Sequence, residues 1–381
     1  MSVIIHTTAR AWNSEHKLEF PAMPTLVRTI DPARPEPALI AEAAAVIRRG
    51  GLVAFPTETV YGLGANALDA RAAAGIFEAK QRALNDPLIV HVAEPQLDAL
   101  AALVDVDALD AAQRRLLASL TAAFWPGPLT LVLPRRELVP SVVSAGLDSV
   151  AVRLPDHPVA RALIAAAGTP IAAPSANLFG HVSPTTAAHV LADLNGRIDM
   201  VLDGGPTRIG VESTVLSLLH SPPRILRPGG VTREMLHAHG VDAEFAARTS
   251  SAAPLAPGML DSHYAPRAAL EILPDLPALR ARHAALTAQH HRVGALLTNA
   301  QAARCPDLHP QFDLGDSLAD AARSLYAGLR ALDDAAVDVI LVTLFPPGGL
   351  GDALRDRLGR AAGPGTSAAR ISPTHSPRAR S

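Results

Sequence analysis

Lys80 is one of two lysines among 34 basic residues, and the other, Lys17, lies in the N-terminal leader. Arginine fills every other basic position. A lysine between Ala79 and Gln81-Arg82 in such a chain suggests a target too confined for guanidinium. An ammonium is a compact point charge on a flexible stem, whereas guanidinium is a wide planar fork. A phosphate, carboxylate or carbamate held in a tight pocket has that character. The plainer reading is that one lysine had to fall somewhere.

Other segments carry short polar side chains at strand ends. Ser175 and Asn177 follow the apolar run Ile171–Ala173 directly. Ligands in α/β sheets collect beyond the carboxyl ends of strands, which suits both residues. Ser183, before Pro184-Thr185, reads as the N-cap of a helix reaching Leu194, whose N-terminus favours an anion. In Phe55-Pro56-Thr57-Glu58-Thr59-Val60-Tyr61-Gly62-Leu63-Gly64, hydroxyls and glycines let backbone approach a small ligand closely. Arg153 and Arg227 close strands, and Glu212-Ser213-Thr214 opens one. His91 sits in the apolar stretch Pro87–Val92, where a satisfied core histidine is the plainer reading. Each of these also reads as an ordinary turn, cap or solvated charge. No Gly-x-x-x-x-Gly-Lys loop, dinucleotide fingerprint or His-Glu-x-x-His helix occurs, so a nucleotide site must be built another way.

The elements that would position these groups alternate along the chain. A helix is predicted over Ala38–Arg49, stopped by Gly50-Gly51, then a strand over Leu52–Phe55. Asp69 caps a helix that delivers Lys80 at its C-terminal end. Further strands are predicted at Leu88–Val92, Leu129–Leu133, Val150–Leu154, Ile171–Ala173, Met200–Leu202, Ser213–Leu218 and Arg224–Leu226. Helices are predicted over Ala111–Ala123 and His157–Ala167. Strands joined by both helices and short turns imply a mixed sheet. After a segment rich in Ala, Pro, Ser and Gly, a second strand–helix alternation runs from Leu270 to Ala361 and predicts a smaller parallel α/β domain. The division expected is an irregular extension over 1–36, an α/β catalytic domain over 37–232, a linker or lid over 233–266, a C-terminal domain over 267–362 and a disordered tail over 363–381.

Composition narrows the class. The 381 residues are 49% hydrophobic and 18% charged, as in a globular protein. Aromatic content of 3% argues against stacking platforms for single-stranded nucleic acid. A net charge of −2 argues against bulk electrostatic attraction to a phosphate backbone. Cys305 is the single cysteine, which excludes an intrachain disulfide and a multi-cysteine zinc site. No apolar run reaches the roughly 18 residues of a membrane span. A cytoplasmic location without membrane contact is therefore expected.

In combination and order, these segments resemble the YrdC/Sua5 family. The resemblance rests on Lys-x-Arg at Lys80-Gln81-Arg82, Ser-x-Asn at Ser175-Ala176-Asn177, and Pro56-Thr57-Glu58-Thr59-Val60-Tyr61-Gly62-Leu63-Gly64. It includes Pro87-Leu88-Ile89-Val90-His91-Val92, Trp125-Pro126-Gly127-Pro128-Leu129-Thr130, Val152-Arg153-Leu154-Pro155, Glu212-Ser213-Thr214-Val215 and Leu226-Arg227-Pro228-Gly229. Pro257-Gly258-Met259, His263-Tyr264-Ala265-Pro266 and the trailing domain are similar to the long, two-domain Sua5 subtype. One departure is Ala83, where the family usually has proline.

The resemblance implies a YrdC-like mixed twisted sheet followed by a smaller, Rossmann-like parallel α/β Sua5 domain. It implies synthesis of L-threonylcarbamoyl-adenylate from L-threonine, bicarbonate or CO2, and ATP, releasing pyrophosphate. That product would pass to a separate transferase complex that makes t6A in tRNA. The site it implies has Lys80, Arg82, Ser175 and Asn177 as catalytic residues. ATP would meet Arg82, Asp86, Ser149, Ser175, Ser183, Arg227 and Tyr264. Threonine would meet Thr59, His91, Arg153, Ala173 and Ser213. Mg²⁺ would accompany the triphosphate, with no organic cofactor. Two other functions remain open: an RNA-binding module with direct tRNA or RNA contact, and a carbamoyl-transfer maturation factor. The scarcity of cysteine weighs against the latter.

Overall fold

The computed structural model describes residues 24–94, 100–246 and 264–363. Eleven strands form one mixed sheet. They are β1 (Leu26–Thr29), β2 (Val53–Phe55), β3 (Gly62–Asn66), β4 (Ile89–His91), β5 (Leu129–Pro134), β6 (Ser149–Arg153), β7 (Ile171–Ala172), β8 (Met200–Asp203), β9 (Thr214–Ser217), β10 (Arg224–Arg227) and β11 (Glu244–Phe245). Their order is β1-β8-β2-β3-β7-β4-β6-β5-β9-β10-β11. Parallel and antiparallel pairs are mixed across it: β2 is parallel to β8 and antiparallel to β3, while β5 is antiparallel to β6 and parallel to β9.

Local signals account for the helices that flank the sheet. In α1 (Pro37–Arg48), proline occupies the first turn, where its missing N–H costs no bond. The helix buries Ile40, Ala43, Ala44, Val46 and Ile47. That stripe shares a core layer with Val159, Leu163 and Ile164, which lie on a helix at Pro158–Ala167, and with Phe55 and Leu202 of the sheet. In α2 (Ala70–Lys80), the Asp69 side chain accepts from the amides of Arg71 and Ala72. The helix ends where Gln81 adopts a left-handed φ of 53°. Lys80 therefore occupies the last turn, as the sequence predicts.

Three departures from expectation concern the large domain. Leu26–Thr29 lie within the extension expected to be irregular, yet form the edge strand β1 on β8. An edge strand has one neighbour; Leu26 and Val27 stay exposed, so no apolar alternation marks it. The segment expected to be linker begins with a helix at Arg233–Ala238 and with β11, which pairs with β10. Ser183 is not a helix N-cap: the helix begins at Ala187 and is capped by Thr186. Residues 247–263, with Pro257-Gly258-Met259 and His263, lie outside the described residues, as do 1–23 and 364–381.

The C-terminal domain contains β12 (Ala269–Leu273), β13 (Val293–Leu297), β14 (Gln311–Asp313) and β15 (Val339–Thr343). All pairs are parallel, in the order β12-β15-β13-β14. Two long helices, Leu318–Asp334 and Leu350–Ala361, cover the face turned towards the large domain. Val60, Val182 and Val211 of the large domain share one hydrophobic core with Tyr264, Ala322, Leu325, Tyr326, Leu354 and Leu358. Gly210 has a φ of +82°, and a Cβ there would lie 2.4 Å from the Ala322 carbonyl oxygen. The two domains meet backbone to backbone at that point. Among the described residues, no helix is long and apolar enough to cross a membrane.

Candidate active site

A cleft of about 490 Å³ opens where the carboxyl ends of several strands meet the second domain. The β2–β3 connection contributes Thr57, Thr59, Val60 and Gly62, and the segment after β7 contributes Ala173, Pro174 and Ser175. Ile89, His91 and Arg153 come from the neighbouring β4 and β6, Glu212 and Ser213 from the entrance to β9, and Arg227 from the end of β10. Arg82 and Tyr264 complete the wall. Of the residues expected to bind or act, Thr59, Arg82, His91, Arg153, Ala173, Ser175, Ser213, Arg227 and Tyr264 are thus brought together.

Lys80, Asp86, Ser149, Asn177 and Ser183 do not line the cleft. Lys80 is 1% exposed, and its Nζ donates to the carbonyl oxygens of Ser175 and Asn177 at 2.5 Å each. The ammonium expected to meet a ligand instead holds the backbone of the Ser-x-Asn loop from behind. Burial pulls its pKa well below the usual lysine value, and the Arg82 charge adds to the shift. Asn177 locks the same loop: its Nδ2 donates to the carbonyls of Leu178 (2.8 Å) and His181 (2.9 Å). Asp86 is fully buried and pairs with Arg82 at 2.8 Å. Burial raises its carboxyl despite the Arg82 and Lys80 charges. Ser149 opens β6, and Ser183 donates to Glu212 at 2.7 Å.

Two of the three arginines on the wall already face a carboxylate. Arg82 pairs with Asp86, and Arg153 Nη2 lies 2.7 Å from Glu58 Oε1. Each pair is buried, so its local field is only partly screened by solvent. Arg227 donates through Nε and Nη2 to the Ser213 carbonyl at 3.2 and 2.9 Å, and through Nη2 to Ser213 Oγ at 3.2 Å. Ser213 Oγ also shares a 2.7 Å hydrogen bond with Thr130 Oγ1. Burial first, and then the Arg153 charge, drive the His91 imidazole down to about 3. It is therefore neutral at physiological pH. Arg82 Nε and Asn177 Oδ1 are buried on or just behind this wall without a hydrogen-bond partner among the described residues, and Glu58 meets Arg153 as an ion pair.

Glu212 is the residue that sequence reasoning missed as part of the site. Its Oε1 accepts from Ser183 and Tyr326, and its Oε2 from Tyr326 (2.9 Å) and Arg357 Nε (2.6 Å). Burial opposes its ionisation, but the charges of Arg357 and Arg227 and these hydrogen bonds bring it down to about 2. Beside it, Gly229 packs so closely that a Cβ would lie 2.3 Å from the Glu212 carbonyl oxygen. The available signal was the Glu212-Ser213-Thr214-Val215 motif itself. Nothing local pointed to its partners Tyr326 and Arg357.

Sequence comparison gives these features a context. A family profile described as telomere recombination matches residues 45–229. A second, described as the C-terminal domain of threonylcarbamoyl-AMP synthase, matches residues 231–363. The chain is 45% identical over 339 residues to a Pyrococcus abyssi protein named threonylcarbamoyl-AMP synthase, covering 84% of this chain and 93% of that one. It is also 45% identical over 331 residues to the Bacillus subtilis protein of the same name, covering 85% and 93%. The crystal structure of P. abyssi Sua5 complexed with L-threonine superposes with a TM-score of 0.81 at 43% identity, covering 89% of this chain and 98% of that one. The chain belongs to the threonylcarbamoyl-AMP synthase family, in its two-domain Sua5 form.

Proposed function

We propose that the cleft joins L-threonine, bicarbonate-derived CO2 and ATP into L-threonylcarbamoyl-adenylate, with release of pyrophosphate. The convergence of Arg82, Arg153 and Arg227 with Thr59, His91, Ser175 and Ser213 around one small cleft carries the reading. Support also comes from the P. abyssi relative, whose structure is described as complexed with L-threonine.

The chemistry asks for such a wall. The threonine amine adds to CO2 and loses a proton, giving a carbamate. A carbamate oxygen then attacks the α-phosphorus, and the bond from phosphorus to the pyrophosphate oxygen breaks. Both reactants are anionic, so cations must offset their repulsion while the pair is aligned. Arg153 is the carboxylate partner of threonine, with Glu58 holding one edge of its fork. Arg82 and Arg227 face the phosphates, and the hydroxyls of Thr59 and Ser213 meet the amino acid. With a pKa of about 3, His91 is too weak a base to take the ammonium proton; it orients threonine as a neutral hydrogen-bonding group. Lys80 and Asn177 act by fixing the loop that carries Ser175. Tyr264, at the edge of the lid segment, shields the carbamate from water.

Mg²⁺ would be held by the phosphates more than by the chain. Among the described residues, no group of three His, Cys, Asp or Glu side chains could hold a metal ion, and the Glu212 carboxylate is already engaged. The product would feed a transferase that modifies tRNA in the cytoplasm. The test is pyrophosphate release from protein, threonine, bicarbonate and ATP. Release should vanish without threonine or bicarbonate; release independent of threonine would overturn the assignment.

A further inference from the structure

We propose that Arg357 and Tyr326, on the two long helices of the C-terminal domain, are positioning residues for the nucleotide end of the cleft and act through Glu212 and Tyr264. The proposal rests on the assignment of ATP to the Arg227–Tyr264 side.

The geometry is that of a two-point clamp. Arg357 and Tyr326 both bond the Glu212 carboxylate, as described above, and the Arg357 Nη2 donates to the Pro228 carbonyl at 2.9 Å. Glu212 and Pro228 flank the residues that fix the arginine of the nucleotide end, because Arg227 is bonded to Ser213. The second point is Tyr264. Its ring stacks on Tyr326 with centroids 5.7 Å apart and planes at 28°, and the Arg357 guanidinium carbon lies 5.3 Å from its centroid. Glu212 and Tyr264 both line the cleft, so the same two side chains of the second domain hold two separate parts of its wall. Tyr264 also has a left-handed φ of 64°, a conformation that non-glycine residues keep only when their surroundings enforce it.

Adhesion between domains does not by itself call for this arrangement. A buried ion pair is often no more stabilising than well-packed apolar side chains of similar volume. Elsewhere the interface combines apolar packing, in which Val182 and Val211 share a core with Leu325 and Leu354, with another arginine, Arg330, which pairs with Asp193 at 2.8 Å and donates to the Val182 carbonyl; neither of that pair lines the cleft. A charged clamp at the edge of the cleft is better explained by what it orients. Ser213 has a second anchor in Thr130, whereas the Pro228 carbonyl next to Arg227 and the Tyr264 ring are held directly by Arg357 and Tyr326, so the nucleotide side depends on the clamp more than the threonine side does.

The test uses the full-length chain with Tyr326→Phe, Arg357→Met and the double variant Glu212→Gln/Arg357→Met. Tyr326→Phe keeps the ring stack and removes the hydroxyl; the double variant removes the Arg357 cation and the Glu212 anion together, so neither of that pair is left facing an empty partner position. Steady-state pyrophosphate release is measured against ATP and against threonine, together with melting temperature. We expect KM for ATP to rise about 10-fold or more in all three variants, with KM for threonine changed by less than about 3-fold. The double variant should regain most of the melting temperature that Arg357→Met loses, yet keep the raised KM for ATP. Recovery of both in the double variant would overturn the proposal, as would single variants that alter melting temperature alone. Should the wild-type protein release no pyrophosphate with threonine, the reaction assignment fails separately. Calorimetric ATP affinity of the same variants then decides whether the clamp acts, by the same fold-changes.

Discussion

A lysine between two carbonyl oxygens, with no room to spare, explains why arginine is not used at position 80. Both contacts are 2.5 Å and the side chain is buried, so a guanidinium would have to displace the Ser175–Asn177 backbone. Overpacking of this kind costs about 1–3 kcal/mol. It would also move Ser175, which lines the cleft. Lys80→Arg is expected to lower kcat/KM about 100-fold through misplacement of the loop. Pyrophosphate release and urea denaturation would check this, and near-normal turnover would sink it. The sequence drew attention to this residue through confinement, and in the structure the confined ammonium meets two backbone carbonyls. His91 offers a second residue-level test. Its folded pKa of about 3 lies below the unfolded value near 6.5, so folding disfavours its protonation. The stability tied to its neutral form is complete above about pH 6.5 and is lost as pH falls towards 3. The kcat/KM profile between about pH 6 and 9 should therefore have no limb from His91, and wild type and His91→Asn should share its shape.

At the level of elements, legibility followed local chemistry. Asp69 before α2 is a signal that one residue carries, and α2 begins where predicted; α1 begins at Pro37, one residue before the expected Ala38. Strand β3 was legible only as a turn, because Gly-Leu-Gly-Ala-Asn has little intrinsic strand preference and is held by pairing to β2 and β7. Ser183 misled for a related reason. Ser-Pro-Thr reads as a helix start, yet the Ser183 hydroxyl donates to the buried Glu212 carboxylate, and the side chain that accepts from a first-turn amide is that of Thr186, from His189. The turn after β10 is a further element set by a contact invisible locally. Gly229→Ala places a methyl 2.3 Å from the Glu212 carbonyl oxygen and 2.5 Å from backbone atoms of Ser213 and Thr214. Destabilisation of about 2 kcal/mol is expected, read as a lower urea midpoint. A variant as stable as wild type would show that the turn can move aside.

Across the whole molecule, the division into a large mixed sheet and a smaller parallel domain was readable from alternation alone. How the two are joined was not. Arg357 lies on an amphipathic helix rich in charge, where solvated arginines are the rule, and its partner is 145 positions away. The union has an acid signature. The Glu212 carboxyl titrates at about 2 in the folded chain and near 4.3 when unfolded. Its contribution is complete above about pH 4.5 and disappears as pH falls towards 2. Between those values the urea midpoint of wild type should fall more steeply with acid than that of Glu212→Gln, and parallel slopes would refute the assignment.

The union also bears on biosynthesis. Glu212 emerges from the ribosome well before the helix that carries Arg357, so its carboxylate has no cation from the second domain while the larger half is being made. Nascent or prematurely terminated chains can carry the wall residues and still lack the two side chains that hold Glu212 and Tyr264, even when their sheet is finished. The clamp proposed to orient the nucleotide end is then complete only once the Leu350–Ala361 helix has been made.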